Sequence, residues 1–300
     1  MKPRINLKLA MAQVAEPAAA AELTFCELVM AFQSVTLDDS DYHTRKFMEA
    51  FGDRSAWSIT STELTRAAQA MFESGAYKPC TINRNLSCIG SVYSWARKKH
   101  LCPPGFVSPT LAVRRYEEAA RVVFITPDQI TRLLGGAAGV KDRRFGVYVH
   151  LLYSTGARRG EILSAKWQDV DLDKGEILCM QTKTGRPRVL FFPREISDLI
   201  RRVCPKRDPG SLLFAGKENP SAPIDFRCHW RALTKAIGCD GLHQHDLRHH
   251  RAAELLKAGN TLAVAAQVLG HSPQVLQRRY GHLETAHLKQ AAKLSWGATT

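Results

Sequence analysis

The sequence predicts a mainly α protein of α+β class. A helical bundle comes first, then a linker, then a mostly helical second domain carrying one small three-stranded antiparallel sheet. Three observations predict it. Apolar residues recur at helical spacing from about residue 22 to 100, and again through most of the chain after residue 126. A stretch rich in proline and glycine, LCPPGFVSP (Leu101 to Pro109), separates the two regions. Strand-like pieces occur in one cluster, near 168–172, 176–182 and 187–192, without the βαβ alternation a parallel sheet needs.

Taken in order, residues 1–21 are expected to be a flexible arm. Gln13, Glu16 and Pro17 interrupt any apolar stretch long enough for the core of a secretory signal. Residues 22–104 divide into about four helical segments. Thr60 and Glu63 have capping-box spacing, in which each side chain satisfies the other's free backbone N–H. Ile82, Leu86, Ile89 and Tyr93 fall at i, i+4, i+7 and i+11, an apolar face that runs out in the basic Arg97-Lys98-Lys99-His100. Residues 105–122, including the charged RRYEEAAR, read as the linker, and residues 123–300 as the second domain. That domain opens on Thr126-Pro127-Asp128-Gln129: an N-cap, a proline suited to the first helical turn, and a glutamine that completes the box. Helices are expected to about 166, then the three strands, the last two joined by the Lys183-Thr184-Gly185-Arg186-Pro187 turn. Helical patterns resume near 194–203, 225–237, 246–258, 261–268 and 273–281.

The 300 residues are 45% apolar, ample for real cores, and carry a formal charge of +14. The excess is uneven. Residues 22–105 hold 9 basic and 9 acidic side chains, residues 106–300 hold 30 and 18. A basic surplus confined to one half fits a polyanionic partner, because each phosphate contact releases condensed counterions. The eight cysteines (26, 80, 88, 102, 179, 204, 228, 239) show no CxxC pair, as expected of reduced thiols in a cytoplasmic protein. No run approaches the length of a membrane span.

Five short stations in the second half carry the chemistry: TGARRGEIL (Thr155 to Leu163), TKTGRPR (Thr182 to Arg188), HDLRH (His245 to His249), LGH (Leu269 to His271), and Tyr280 in RRYGHL. Tyrosine is a poor nucleophile at its ordinary pKa of about 10 and needs cations or a base nearby. Arg158 and Arg248 each sit beside an expected turn-to-helix transition, and two guanidinium forks on one phosphate would stabilise its transition-state charge. Glu161 lies three residues after Arg158, placed to orient that fork. Lys183, at a hairpin, can reach a leaving oxygen as general acid, and His245 and His271 can donate hydrogen bonds or move protons. Alone, each residue has an ordinary structural reading: a packed tyrosine, a surface ion pair, a solvated turn lysine, a helix-end histidine. That ordinary reading is kept for Arg159, His243, His249, His250 and His282. His245 and His249 have zinc-ligand spacing, but no HExxH glutamate or cysteine pair completes a set. With no GxxxxGK(S/T) loop either, neither metal nor nucleotide cofactor is expected.

As a set, these residues resemble the tyrosine recombinase, or phage integrase, family. Thr155, Gly156, Arg158 and Glu161 fill the TGxRxxE box, with Leu163 and Trp167 at familiar packing positions. Lys183 matches the hairpin lysine, His245 and Arg248 the HxxR box, His271 the LGH histidine, and Tyr280, nine residues later, the nucleophile. The Asp171-Leu172 region and the HDLRH phrase also look typical. TINRNLSCIGSVYSWARKKHL resembles the last helix of the family's core-binding domain, so the resemblance covers nearly everything after residue 22. Ala157 stands where a larger aliphatic residue is common, and His250-Arg251 where Thr-Phe often follow; both bear on local packing rather than chemistry. Residues 1–21 are too short for the folded arm-binding domain that some integrases carry.

The resemblance implies a C-shaped clamp on duplex DNA, the core-binding domain on one side and the catalytic domain on the other. Tyr280 would attack the scissile phosphate, leaving a 3′-phosphotyrosyl link and a free 5′-hydroxyl, and exchange would pass through a Holliday junction. Arg158, Arg248 and His271 would hold the non-bridging oxygens, Lys183 would protonate the leaving oxygen, and His245 would assist proton movement. Paired recombination sites, a homotetramer in synapsis, accessory DNA-bending proteins, no membrane, and a place in the bacterial cytoplasm or nucleoid are the associated expectations. A type IB topoisomerase-like relaxing activity shares this chemistry, and a catalytically silent DNA-binding regulator shares the fold.

Overall fold

The amphipathic runs of the first half fold as helices α1 (Phe25–Thr36), α2 (Asp41–Phe51), α3 (Ser61–Glu73) and α4 (Pro79–Lys98) in the computed structural model. It describes residues 23–36, 41–118, 125–180, 187–205, 207–278 and 280. The chain divides into two compact units, Met1–Arg121 and Val122–Thr300. In the first, the apolar face expected of α4 is buried throughout, Ile82, Leu86 and Ile89 fully and Tyr93 to within 1%. It packs with Phe25, Leu28, Phe47 and Leu64 into one core, each large side chain stabilising by roughly 1.5–3 kcal/mol on leaving water. The capping box of Thr60 and Glu63 closes in both directions. Buried Tyr93 donates its hydroxyl to the Ala56 carbonyl at 2.9 Å, so no polar atom is stranded there.

Residues 106–118, read from the sequence as linker, lie against this bundle. Asn83 of α4 is the clasp. Its amide nitrogen donates to the Tyr116 carbonyl (2.8 Å), its oxygen accepts from the Tyr116 N–H (3.0 Å), and Arg115 donates to the Asn83 carbonyl (2.7 Å). Pro109, Thr110 and Val113 are buried in the same layer. Proline and glycine forbid a regular helix here, but they do not forbid packing, and an irregular backbone must still satisfy its polar groups.

The second unit contains α5 (Pro127–Ala138), α6 (Arg143–Thr155), α7 (Arg159–Leu163), strands β1 (Val170–Asp171), β2 (Glu176–Cys179) and β3 (Arg188–Phe191), then α8 (Arg194–Val203), α9 (Arg227–Ala236), α10 (Gln244–Lys257) and α11 (Leu262–Leu269). Further helical turns run through 273–278. The Thr126–Gln129 capping box forms at the start of α5. α6 is the pillar. Phe145, Val147, Tyr148, Val149, Leu151 and Leu152 bury it on almost every side. The strands pair antiparallel in the order β1-β2-β3, with Ile177 opposite Leu190 and Cys179 opposite Arg188. The expected strand limits shorten by a residue or more at most ends, and the hairpin turn 181–186, with Lys183, lies outside the described residues.

A smaller apolar cluster joins α10 to α11 and to the turns beyond. Ala252, Leu256, Leu262, Ala265, Leu269 and Leu276 form it, and Tyr280 packs on its edge. The protein is thus mainly helical with one small antiparallel sheet. No helix among the described residues is long and apolar enough to cross a membrane.

Candidate active site

α6 ends at Gly156, whose φ of +61° is left-handed, the conformation of a helix stop. A Cβ there would lie 2.6 Å from Leu269 Cδ2 and 3.0 Å from Arg251 Cγ, so glycine is needed for the close approach of α11 as well as for the turn. The turn leaves the Gly156 carbonyl to accept from Arg248 Nη1 at 2.9 Å. Arg248, in α10, is only 1% exposed, and its Nε donates to His271 Nε2 at 3.1 Å. Its Nη2 has no hydrogen-bond partner among the described residues. Burial, reinforced by the neighbouring charges of Arg158 and Arg188, brings its pKa down to about 9, against the opposing pull of Glu161 and Tyr280. It remains a cation at neutral pH.

His271 follows Gly270, the left-handed stop of α11 (φ +63°), and its N–H closes that turn on the Ala266 carbonyl at 2.9 Å. Because its Nε2 accepts from Arg248, the neutral ring carries its proton on Nδ1. Burial and the cations Arg248 and Arg158, with His245 and His249 beyond them, depress its pKa to about 3.

Arg158 caps α7. Its Nη1 donates to Glu161 Oε1 (2.8 Å), its backbone N–H to Glu161 Oε2 (2.7 Å), and its Nη2 to the Gly270 carbonyl (2.9 Å). Glu161 is 4% exposed and also accepts from Arg188 Nη2 at 2.7 Å. Burial alone would raise its pKa, but the bonds from Arg188 and Arg158 outweigh it and hold the carboxyl below its ordinary range. Arg188 also donates to the Val268 carbonyl at 2.7 Å, and a Cβ on Gly270 would stand 2.8 Å from its Cδ. Glu161 therefore orients Arg158, with Arg188 as its second partner.

Tyr280 is half-buried at the edge of the α10–α11 cluster. Its hydroxyl lies 2.5 Å from His249 Nδ1. One turn earlier on α10, exposed His245 meets His249 edge to face, ring centroids 4.7 Å apart. The structure thus brings Arg158, Arg248 and His271 together directly, and links Tyr280 through His249 to the helix that carries Arg248 and His245. The ordinary departures pack locally: Ala157 is buried, His250 stacks on Tyr153, and the stem of Arg251 covers Gly156.

Two participants were not assigned from the sequence. Arg188 had a legible signal. In RVLFF it shares strand parity with Leu190, so an arginine falls on the buried face and must find a counter-charge. His249 had a weaker one, its i, i+4 relation to His245, which places both rings on one face of α10.

The phage integrase family model matches residues 123–287, more than half of the chain and all of these side chains. The chain belongs to the phage integrase family. The integrase is 26% identical over 251 residues to tyrosine recombinase XerC of Xanthomonas campestris pv. campestris, covering 80% of this chain and 74% of XerC. It is 30% identical over 171 residues to tyrosine recombinase XerA of Thermococcus kodakarensis, 56% of this chain and 60% of XerA. The Tn1549 transposon integrase, solved in complex with a circular-intermediate DNA, superposes with a TM-score of 0.69 over 90% of this chain and 100% of that one. Its 17% identity makes that a likeness of fold. The integrase is a tyrosine-type enzyme of site-specific DNA recombination.

Proposed function

We propose that the enzyme cuts and rejoins duplex DNA through Tyr280. Attack on the scissile phosphate forms a 3′-phosphotyrosyl link and frees a 5′-hydroxyl, and the partner strand's 5′-hydroxyl reverses the step, so that exchange passes through a Holliday junction. One phosphodiester is traded for another, and the reaction needs no metal and no ATP. The observation that carries this reading is the convergence of Arg158, Arg248 and His271 on the two glycine turns, with Arg248 Nη2 buried and unpartnered. Buried cationic donors of this kind suit the non-bridging oxygens of a phosphate in its transition state. Lys183 as general acid rests on the resemblance, and exposed His245 is positioned for proton traffic with solvent.

Residues 22–104 would form the core-binding domain and 123–300 the catalytic domain, joined by 105–122. Paired sites would assemble a homotetramer, with accessory DNA-bending proteins, in the bacterial cytoplasm or nucleoid. The test is to sequence recombination junctions in cells expressing the enzyme, then to trap covalent complexes on a nicked duplex carrying that junction, in EDTA and without nucleotide. Tyr280→Phe should abolish the complex and the junctions. A covalent complex surviving that substitution would show that another residue attacks.

A further inference from the structure

The mechanism above gives Tyr280 a target but no acceptor for its own proton. A phenol attacking phosphorus near neutral pH, some three units below its ordinary pKa of about 10, needs a base within hydrogen-bond reach. His271 is badly placed for that task. Its Nε2 is committed to Arg248 at 3.1 Å, and burial among cations makes it a very weak base. Glu161 is enclosed by Arg158 and Arg188. His249 stands where the task is.

We infer that His249 is a further catalytic residue: its Nδ1 takes the phenolic proton of Tyr280 during cleavage and returns it during rejoining. The inference rests on the reading of Tyr280 as the nucleophile. Its geometric ground is the 2.5 Å separation of Nδ1 and the phenol oxygen, at the short end of hydrogen-bond lengths. Both partners are fixed from below. His249 lies beside Arg248 on α10, whose first turn is capped by Asp246 accepting from the His243 N–H at 2.7 Å and whose Leu247 is fully buried. Tyr280 packs against the cluster that includes Leu276, 1% exposed. The base and a phosphate-holding arginine therefore ride on the same helix, which fixes their separation. Among the described residues, the groups facing His249 include His245 from its own helix, Tyr280 from the terminal turns, and, close by, Arg248 and the His271 turn after α11.

The step balances. The Tyr280 O–H bond breaks, its proton passes to Nδ1, and the bond from the phenol oxygen to phosphorus forms. The bond from phosphorus to the 5′-oxygen breaks, and that oxygen takes a proton from the general acid. In rejoining, the 5′-hydroxyl gives its proton back to the group that supplied it and its oxygen bonds to phosphorus, while the bond from phosphorus to the phenol oxygen breaks and His249 returns its proton to that oxygen.

The experiment is single-turnover cleavage of the nicked junction duplex at saturating enzyme, from pH 5.5 to 9, for the parent, His249→Ala, His249→Asn and Tyr280→Phe. A second duplex carries sulfur at the 5′-bridging position, a leaving group that needs no proton. Both His249 variants should bind DNA as the parent does yet cleave about 10²–10⁴-fold more slowly at neutral pH, with rates that climb as pH rises. Added imidazole should partly restore His249→Ala, and the sulfur substrate should restore neither. His249→Asn keeps an acceptor without a usable base, and it carries the test if the alanine variant does not fold. Cleavage within about threefold of the parent, full activity of His249→Asn, or rescue by the sulfur substrate would each overturn the assignment. A covalent complex formed by Tyr280→Phe would instead overturn the nucleophile beneath it, so the two failures are distinguishable.

Discussion

Replacing Glu161 by glutamine removes one negative charge from between two arginines with almost no change of shape. The carboxylate accepts three bonds, from the Arg158 backbone N–H, Arg158 Nη1 and Arg188 Nη2, all between 2.7 and 2.8 Å. Glutamine keeps one acceptor oxygen and turns an NH₂ toward the other guanidinium, where two donors then face each other. The side chain of Arg188 is 10% exposed and that of Arg158 24%, so solvent cannot take over fully at either, and least at Arg188. A hydrogen bond to a charged group contributes about 1.5–3 kcal/mol, and breaking one side of a buried pair costs about 3–5 kcal/mol. With its oxygen in the Oε2 place the amide keeps two of the three bonds and turns its NH₂ toward Arg158 Nη1, so Glu161→Gln should destabilise the second unit by about 1.5–3 kcal/mol. Hydrogen exchange at the α7 and β3 amides reads this loss without assuming that both units unfold together. The depressed carboxyl pKa fixes the sign with pH: its stabilisation is present at neutral pH and disappears as pH falls below the ordinary carboxylate value of about 4.3. The variant should lack that part of the acid dependence. A loss below about 1 kcal/mol near pH 7 would refute the view that Glu161 is what holds the two arginines.

Two further outcomes follow from the same geometry. The native state resists protonation of His271 down to about pH 3, whereas the unfolded chain takes that proton near 6.5, so stability is full above 6.5 and falls as pH drops through this window. Because the ring is only partly buried, the slope should lie below the ~1.4 kcal/mol per pH unit of a wholly differential proton, and His271→Gln should flatten it in urea titrations; an unchanged slope would count against the assignment. Gly156→Ala sets a side chain at φ +61° with its Cβ 2.6 Å from Leu269 Cδ2, and should cost about 2–4 kcal/mol, made up of a left-handed penalty of about 1–2 and repacking. A thermal melt within error of the parent would show that the α6 stop is not strained.

The sequence made the helices legible wherever one apolar face meets one core, as at Ile82, Leu86, Ile89 and Tyr93. It also made legible the residues whose chemistry is local, since Thr60 and Glu63 or Thr126 and Gln129 need only a spacing of three to find each other. What it left out depends on long-range approach. Nothing in the composition of 106–118 announces that Asn83 will clasp Tyr116 from 33 residues away. The contact between Arg158 and the Gly270 carbonyl spans 112 positions and exists only because α11 is drawn against the Gly156 turn. His249 reads as an ordinary structural histidine in the sequence for the same reason. Its role depends on where the turns beyond α11 deliver Tyr280, and that is a matter of the small cluster around Leu276 rather than of any local pattern.

The way the three guanidinium groups share their bonds explains why only two of them suit a phosphate. Arg188 directs both terminal nitrogens inward, to Glu161 and the Val268 carbonyl, leaving only its Nε without a partner among the described residues, and acts as a strut. Arg158 is divided between Glu161 and the Gly270 carbonyl while remaining partly accessible. Among the described residues, Arg248 has only neutral acceptors, the Gly156 carbonyl and His271, and keeps one terminal nitrogen buried and unpartnered. One carboxylate among three cations leaves the cluster, among the described residues, short of negative charge, and those cations add to the effect of burial in lowering the pKa values of Arg248 and His271. A core selected for stability alone would replace such a group with an apolar side chain, often at no loss. Its retention makes sense if the balancing charge comes from a bound phosphodiester. The charge that grows on the non-bridging oxygens in the transition state would then meet donors already desolvated and aligned, which lowers the barrier more than it tightens ground-state binding.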